Sequence, residues 1–189
     1  MKQEGPLGIS PSGNRPGRDK GKEESMNEEV AAKAFGLKEG EGEAWWWLGP
    51  TLATIKATGK ETGGRYTLVE VLEPDGAEAP LHVHHREDEA FWILEGELTF
   101  QVGEETIKAS PGSFLFGPRD VPHRYTVDSG PARMLFLLSP AGFEELIYAT
   151  SEPVKERTTL PPPPEGPPTE AEMEQQVALA RQYGIEFLG

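Results

Sequence analysis

Between Trp45 and Leu138 the chain is divided into ten short runs rich in β-branched and aromatic residues, with no long helical period among them. The runs are Trp45–Leu48, Thr51–Ala57, Arg65–Glu73, Leu81–His85, Ala90–Leu94, Glu97–Val102, Glu105–Ala109, Ser113–Phe116, His123–Val127 and Arg133–Leu138. Turn chemistry separates them: Gly63-Gly64, Pro74-Asp75-Gly76, Glu95-Gly96, Val102-Gly103-Glu104, Ser110-Pro111-Gly112 and Asp128-Ser129-Gly130-Pro131. Punctuation this regular predicts an all-β sandwich or barrel. Leu98, Phe100 and Val102 alternate with Thr99 and Gln101, as in a half-buried antiparallel strand. No internal repeat is present, so one barrel is expected.

The flanks read differently. Residues 1–40 are rich in Gly, Pro and charge, with too little apolar surface to offset the entropy of ordering. They are expected to be mostly disordered, apart from a short helix over Asn27–Phe35. The barrel is expected over 41–150, closed by one or two helical turns over Phe143–Ala149. Residues 151–168, with Pro161–Pro164 and Pro167-Pro168, read as a Pro-rich extended linker. Residues 169–189 then form a C-terminal helix and tail. Thr169 and Glu172 make a capping box, and Gly184 stops the helix. Its stripe of Met173, Val177 and Ala180, with Leu179 and Tyr183 offset, is expected to dock on the domain or a neighbour. Consecutive Trp45-Trp46-Trp47 must face both sides of a strand, so one side enters the barrel and the other needs a cover.

Composition narrows the function. The chain has 189 residues, no cysteine and a net charge of −14. Disulfides, thiolate metal sites and thiol catalysis are excluded, and the acidity opposes binding to nucleic-acid phosphates. No apolar run approaches the roughly 18–20 residues of a membrane helix, and Met1–Lys22 has no charged-then-apolar leader. A cytoplasmic protein with neither nucleic-acid nor membrane partners is expected.

All four histidines fall in the β region. In a strand, residues i and i+2 share a face, so His82 and His84 point inward together while His85 points outward. A turn through Arg86–Asp88 returns Glu89 on the next strand, and His123 can close the set from a strand distant in sequence. Glu87 and Asp88, in the turn, read as solvated acids. Three neutral imidazoles and one carboxylate suit a divalent first-row transition metal, whereas calcium or magnesium would prefer oxygen donors alone.

The same residues carry a family resemblance. Gly76-x₅-His82-x-His84-x₄-Glu89-x₆-Gly96 follows the first cupin motif, and Gly112-x₅-Pro118-x-Asp120-x₂-His123-x₃-Val127 follows the spacing of the second. Asp120 stands where that motif has Gly, and Val127 where it has Asn. Asp tolerates left-handed geometry, so the turn is expected to survive. Residues 45–145 resemble the cupin superfamily, and the stretch Pro80–Glu97 is most similar to single-domain cupins related to quercetin 2,3-dioxygenase. The resemblance implies a cupin double-stranded β-helix, or jelly-roll, barrel and commonly a homodimer. It also implies one divalent metal per chain (Fe, Mn, Ni, Co, Cu or Zn) held by His82, His84, Glu89 and His123.

The function implied is a metal-dependent dioxygenase acting with O₂ on a small enolic or phenolic substrate, with Glu89 also the proton acceptor. A metal-dependent isomerase or lyase without O₂, and a non-catalytic metal- or small-molecule-binding cupin, are the alternatives. Phe91, Phe100, Phe114, Phe116, Tyr125 and Phe136 are candidates for either barrel core or an aromatic-friendly pocket.

Overall fold

A computed structural model describes residues 33–154 and 169–188. The expected disorder of residues 1–32 and most of the expected linker, 155–168, lie outside the described residues. Ten strands are described: β1 (Glu43–Trp47), β2 (Thr51–Ala57), β3 (Thr67–Glu73), β4 (Glu78–His84), β5 (Asp88–Val102), β6 (Glu105–Ala109), β7 (Phe114–Gly117), β8 (His123–Ser139), β9 (Glu152–Pro153) and β10 (Ile185–Phe187). Three helices join them: α1 (Gly59–Thr62), α2 (Phe143–Thr150) and α3 (Glu170–Gln182). The strands run in the order β10-β4-β8-β3-β2-β1-β9, while β5 pairs with β6, β7 and β8. This is the all-β barrel the punctuation predicts, in the jelly-roll form the resemblance implies. Among the described residues no helix is long and apolar enough to cross a membrane.

Two expected turns are not turns. Glu95-Gly96 lies inside the 15-residue β5, and Asp128–Pro131 lies inside the 17-residue β8. The two segments face each other, with Glu95 opposite Arg133 and Glu97 opposite Ser129, and the register shifts between Ile93 and Leu98. Glycine in one strand and Gly-Pro in the other therefore bend a continuous ribbon around the barrel instead of reversing it. Gly96 adopts φ +85°, and a Cβ there would stand 2.8 Å from the Ala132 Cα.

Alternation along these strands fills the barrel. Phe91, Ile93, Leu98 and Phe100 from β5 meet Val69 and Val71 from β3 and Met134, Phe136 and Leu138 from β8, all buried. The Phe91 ring lies 5.0 Å from both Phe100 and Phe136, tilted against one and edge-on to the other. Each such aromatic or aliphatic side chain contributes roughly 1.5–3 kcal/mol on burial.

The flanking elements depart from expectation in detail. Residues 33–35 are not helical, and Phe35 is exposed. The linker does not begin at 151, because Glu152 and Pro153 pair with Trp46 and Trp45 on the edge of the sheet. The single turn α1, capped by Thr58 and Glu61, is too short to show a helical period. α2 buries Phe143, Leu146 and Ile147 and covers β1: Trp45 meets Tyr148 and Trp47 meets Phe143, at 5.1 and 5.4 Å between ring centroids. α3 begins at the expected Thr169–Glu172 capping box, but only its far end docks, through buried Ala180 and half-buried Tyr183, while Met173 stays exposed. The chain then continues as β10, not as a trailing tail.

Gly96→Ala tests the shared bend. The left-handed backbone and the Ala132 contact should cost about 1–3 kcal/mol of stability, read as a lower urea midpoint. An unchanged midpoint would contradict the close approach of the two strands.

Candidate metal centre

β4 runs antiparallel to the start of β8, and the register sets His82 directly opposite His123. Strand parity turns His84 to the same interior, and Glu89 enters from β5, opposite Gly117 of β7. The three imidazoles cluster, with ring centroids 4.4 Å apart for His82 and His123, 5.1 Å for His82 and His84, and 5.5 Å for His84 and His123. One donor atom from each of His82, His84, Glu89 and His123 lies within 4.8 Å of the others. Glu89 Oε2 stands 3.0 Å from His123 Nε2 and 3.4 Å from His84 Nε2. Donors bound to one ion at about 2.1 Å are roughly 3.0–3.4 Å apart in octahedral or tetrahedral geometry.

The far nitrogens of the rings are spoken for. His82 Nδ1 lies 2.7 Å from the Pro80 carbonyl and His123 Nδ1 lies 3.0 Å from the Val121 carbonyl. A carbonyl can only accept, so each Nδ1 carries a proton and each Nε2 is turned toward the cluster, where that of His123 lies 3.0 Å from Glu89 Oε2. His84 Nδ1 faces Glu87 Oε2 at 3.5 Å, and among the described residues neither atom has another partner. Glu87 is therefore not a solvated acid: it is 4 % exposed and lies against the back of His84. Three imidazole nitrogens and a carboxylate converge in this space, a donor set that fits a divalent transition ion.

Electrostatics agree with that reading. Burial pushes the Glu89 carboxyl upward, but His84, His123 and His82 outweigh it and hold the group below its ordinary range. Burial, reinforced by the neighbouring His123 and His84, pushes His82 down to about 4. Burial lowers His123, yet its bond to Glu89 prevails and raises it. The cluster at neutral pH thus combines an ionised carboxylate with a neutral His82.

Around it, the corner residues hold the loops. Asp88 is half-buried, and its carboxylate accepts from the Arg119 backbone and guanidinium at 3.0, 3.1 and 2.7 Å. Those bonds hold it down at about 2 and tie the start of β5 to the loop before His123. His85 faces outward as parity predicts, with Nδ1 2.7 Å from Asp120 Oδ1. Asp120 takes φ +63° and donates its N–H to the His84 carbonyl at 2.8 Å, so the turn survives without glycine.

A cavity of about 60 Å³ opens beside His82, His84 and Glu89. Of the aromatic residues expected at a pocket, Phe91, Tyr125 and Phe136 line it. Phe100 is core instead, packed 5.0 and 5.2 Å from the rings of Phe91 and Tyr125. Phe114 and Phe116 are corrected: they are 60 % and 51 % exposed on the outer face. β7 turns Leu115 and Gly117 inward against Phe91 and Glu89, which leaves its two phenylalanines outside beside Trp92 and Ala90. Sequence reasoning missed the rest of the wall: Trp47, Leu48, Ala79, Phe143, Leu146, Ile185 and Phe187. Alternation in Ile185-Glu186-Phe187 after Gly184 was the available signal for the last two.

Comparison with known proteins accords with the geometry. Residues 68–138 match the family model described as Cupin domain. Residues 68–138 of the barrel are a cupin domain. It is 32 % identical over 122 residues to a quercetin 2,3-dioxygenase of Bacillus subtilis, covering 65 % of this chain and 36 % of that protein. It is 29 % identical over 111 residues to the quercetin 2,3-dioxygenase of Aspergillus japonicus, covering 55 % and 32 % respectively. The match thus spans about a third of the length of those relatives. Among solved structures, KdgF from Halomonas sp. superposes with a TM-score of 0.52 at 19 % identity, covering 60 % of this chain and 98 % of that one. An RmlC-like cupin from Shewanella frigidimarina gives a TM-score of 0.52 at 21 % identity, with 60 % and 96 % covered.

Behind the cavity, Tyr125 donates to Glu73 Oε1 at 2.9 Å and Thr51 donates to the same oxygen at 3.1 Å. Burial raises the Glu73 carboxyl above its ordinary range, although both hydroxyls pull it back. A raised carboxyl stabilises the fold below its unfolded value of roughly 4.3 and loses that contribution as pH rises through its folded value. Glu73→Gln cannot titrate, so its melting temperature should gain on the wild type between pH 4 and pH 8. A difference that stays flat or shrinks over that range would contradict the assignment.

Proposed function

We propose that this cupin is a metal-dependent dioxygenase acting on a small enolic or phenolic compound. The observation that carries the reading is a buried three-imidazole, one-carboxylate cluster opening onto a largely apolar cavity. Its likeness to two quercetin 2,3-dioxygenases supports the reaction class.

His82, His84, His123 and Glu89 would hold the ion. A divalent transition metal bound there supplies Lewis acidity toward a substrate oxygen and, when redox-active, electron exchange with O₂. The Pro80 and Val121 carbonyls hold His82 and His123 from behind, and Glu87 lies 3.5 Å behind His84, so the Nε2 atoms stay turned toward the ion's position. Glu89 is the one anion of the four, and it lines the cavity. It accepts the proton of an enol or phenol hydroxyl that enters beside it, which leaves the substrate as the electron-rich anion that reacts with O₂. Phe91, Phe136 and Phe143 line the space around that anion and exclude water. Both oxygen atoms end in the product and the substrate supplies the electrons, so no external reductant is required.

Oxygen-electrode screening of the metal-reconstituted chain against small 1,3-diketones, enols and phenols tests this. Substrate-dependent O₂ uptake is expected, and Glu89→Gln with metal retained should lower it about 100-fold or more. Turnover without O₂ uptake would contradict the oxygenase and leave a Lewis-acid isomerase or lyase. Equal uptake by Glu89→Gln would remove the residue from the base role.

A further inference from the structure

The strand β10 forms part of the wall of the metal centre. It pairs antiparallel with the ligand strand β4, placing Ile185 opposite His84 and Phe187 opposite His82. The Phe187 ring centroid is 6.2 Å from that of His82, and both Ile185 and Phe187 line the cavity. The pairing is extended at each end, where the His85 N–H donates to the Gly184 carbonyl and the Leu188 N–H to the Leu81 carbonyl, both at 2.8 Å. Arg86 Nη2 adds a bond to the Gln182 carbonyl at 2.8 Å. The approach is tight: a Cβ at Gly184, whose φ is +84°, would stand 2.7 Å from the Arg86 side chain. The strand is thus fastened along its length to the one that carries two ligands.

The space left is about 60 Å³. Sites that enclose drug-sized ligands offer roughly 300–1,000 Å³. The cavity is small by that measure, and Phe187 and Ile185 form one of its sides.

We infer that Phe187, with Ile185 behind it, determines specificity by size, restricting the site to single-ring or open-chain oxygen chelators such as hydroxypyranones and 1,3-diketones. The inference rests on the metal reading above and adds the substrate class. Shortening Phe187 removes a ring from the wall without touching a ligand or the backbone pairing.

The test uses the full chain loaded with zinc, which is redox-inert, and measures binding instead of turnover. Zinc content is determined first, then affinity for maltol, a one-ring hydroxypyranone, and for 3-hydroxyflavone, which presents the same chelating oxygens on a three-ring frame. Wild type should bind maltol about tenfold or more tightly than 3-hydroxyflavone, and Phe187→Ala should gain about tenfold for the flavone while maltol changes little. Ile185→Ala serves as the second enlarging variant should Phe187→Ala fold poorly, and Phe187→Tyr should keep the wild-type preference. Equal binding of both chelators by wild type overturns the size limit while leaving the metal reading intact. Failure of maltol to bind the zinc-loaded protein also overturns it. Wild type that retains no zinc overturns the metal reading and the inference with it.

Discussion

Glu89 places a carboxylate, 3 % exposed, inside a barrel whose core is mainly aliphatic and aromatic. Such a charge costs several kcal/mol unless it is paired and hydrogen-bonded. His84 and His123 supply that pairing through their Nε2 atoms, and a divalent cation bound among the four would complete it. The surroundings follow from this requirement. Each imidazole must present the same nitrogen inward, so its other nitrogen is held by a carbonyl or, for His84, faces a second buried carboxylate. His82 and His84 must share a face, so they sit two apart on one strand. His123 must reach them from outside the local sequence, which the pairing of β4 with β8 achieves.

The barrel then divides the work. The bent ribbon of β5 and β8 carries Glu89 and His123 and wraps the core, and its glycine and proline bends keep it continuous. Salt bridging between Asp88 and Arg119 and the left-handed turn at Asp120 hold the loop that leads into His123. The cavity is bounded by elements from both flanks of the barrel: the end of β1, α2 after β8, and β10 after α3. Apolar walls of this kind lower the local dielectric and strengthen each charge–dipole interaction at the cluster. The same walls set how large a ligand can approach.

Much of this was legible in the chain. Turn punctuation gave the all-β class, and the period of two placed His82 and His84 inward and His85 outward. Long-range facts were harder to read. Gly96 and Gly130-Pro131 carry the chemistry of reversal, and only the pairing of their two strands across the sheet makes them bends. Phe114 and Phe116 look like pocket aromatics until β7 is registered against β5, which turns them outside. Glu87 resembles any acid in a charged turn, because nothing local reveals that the corner folds it under His84. Ile185 and Phe187 lie about 100 positions from the histidines they face, and three residues of alternation cannot name a partner strand.

The account depends on one divalent ion at the centre of the four side chains. X-ray absorption of the full chain loaded with cobalt or zinc tests it most directly. Three imidazole nitrogens and at least one carboxylate oxygen at about 2.0–2.2 Å are predicted for a single equivalent of metal. An oxygen-only shell, or no stoichiometric metal after reconstitution, would contradict the central claim and leave the histidines as structural residues around a buried acid.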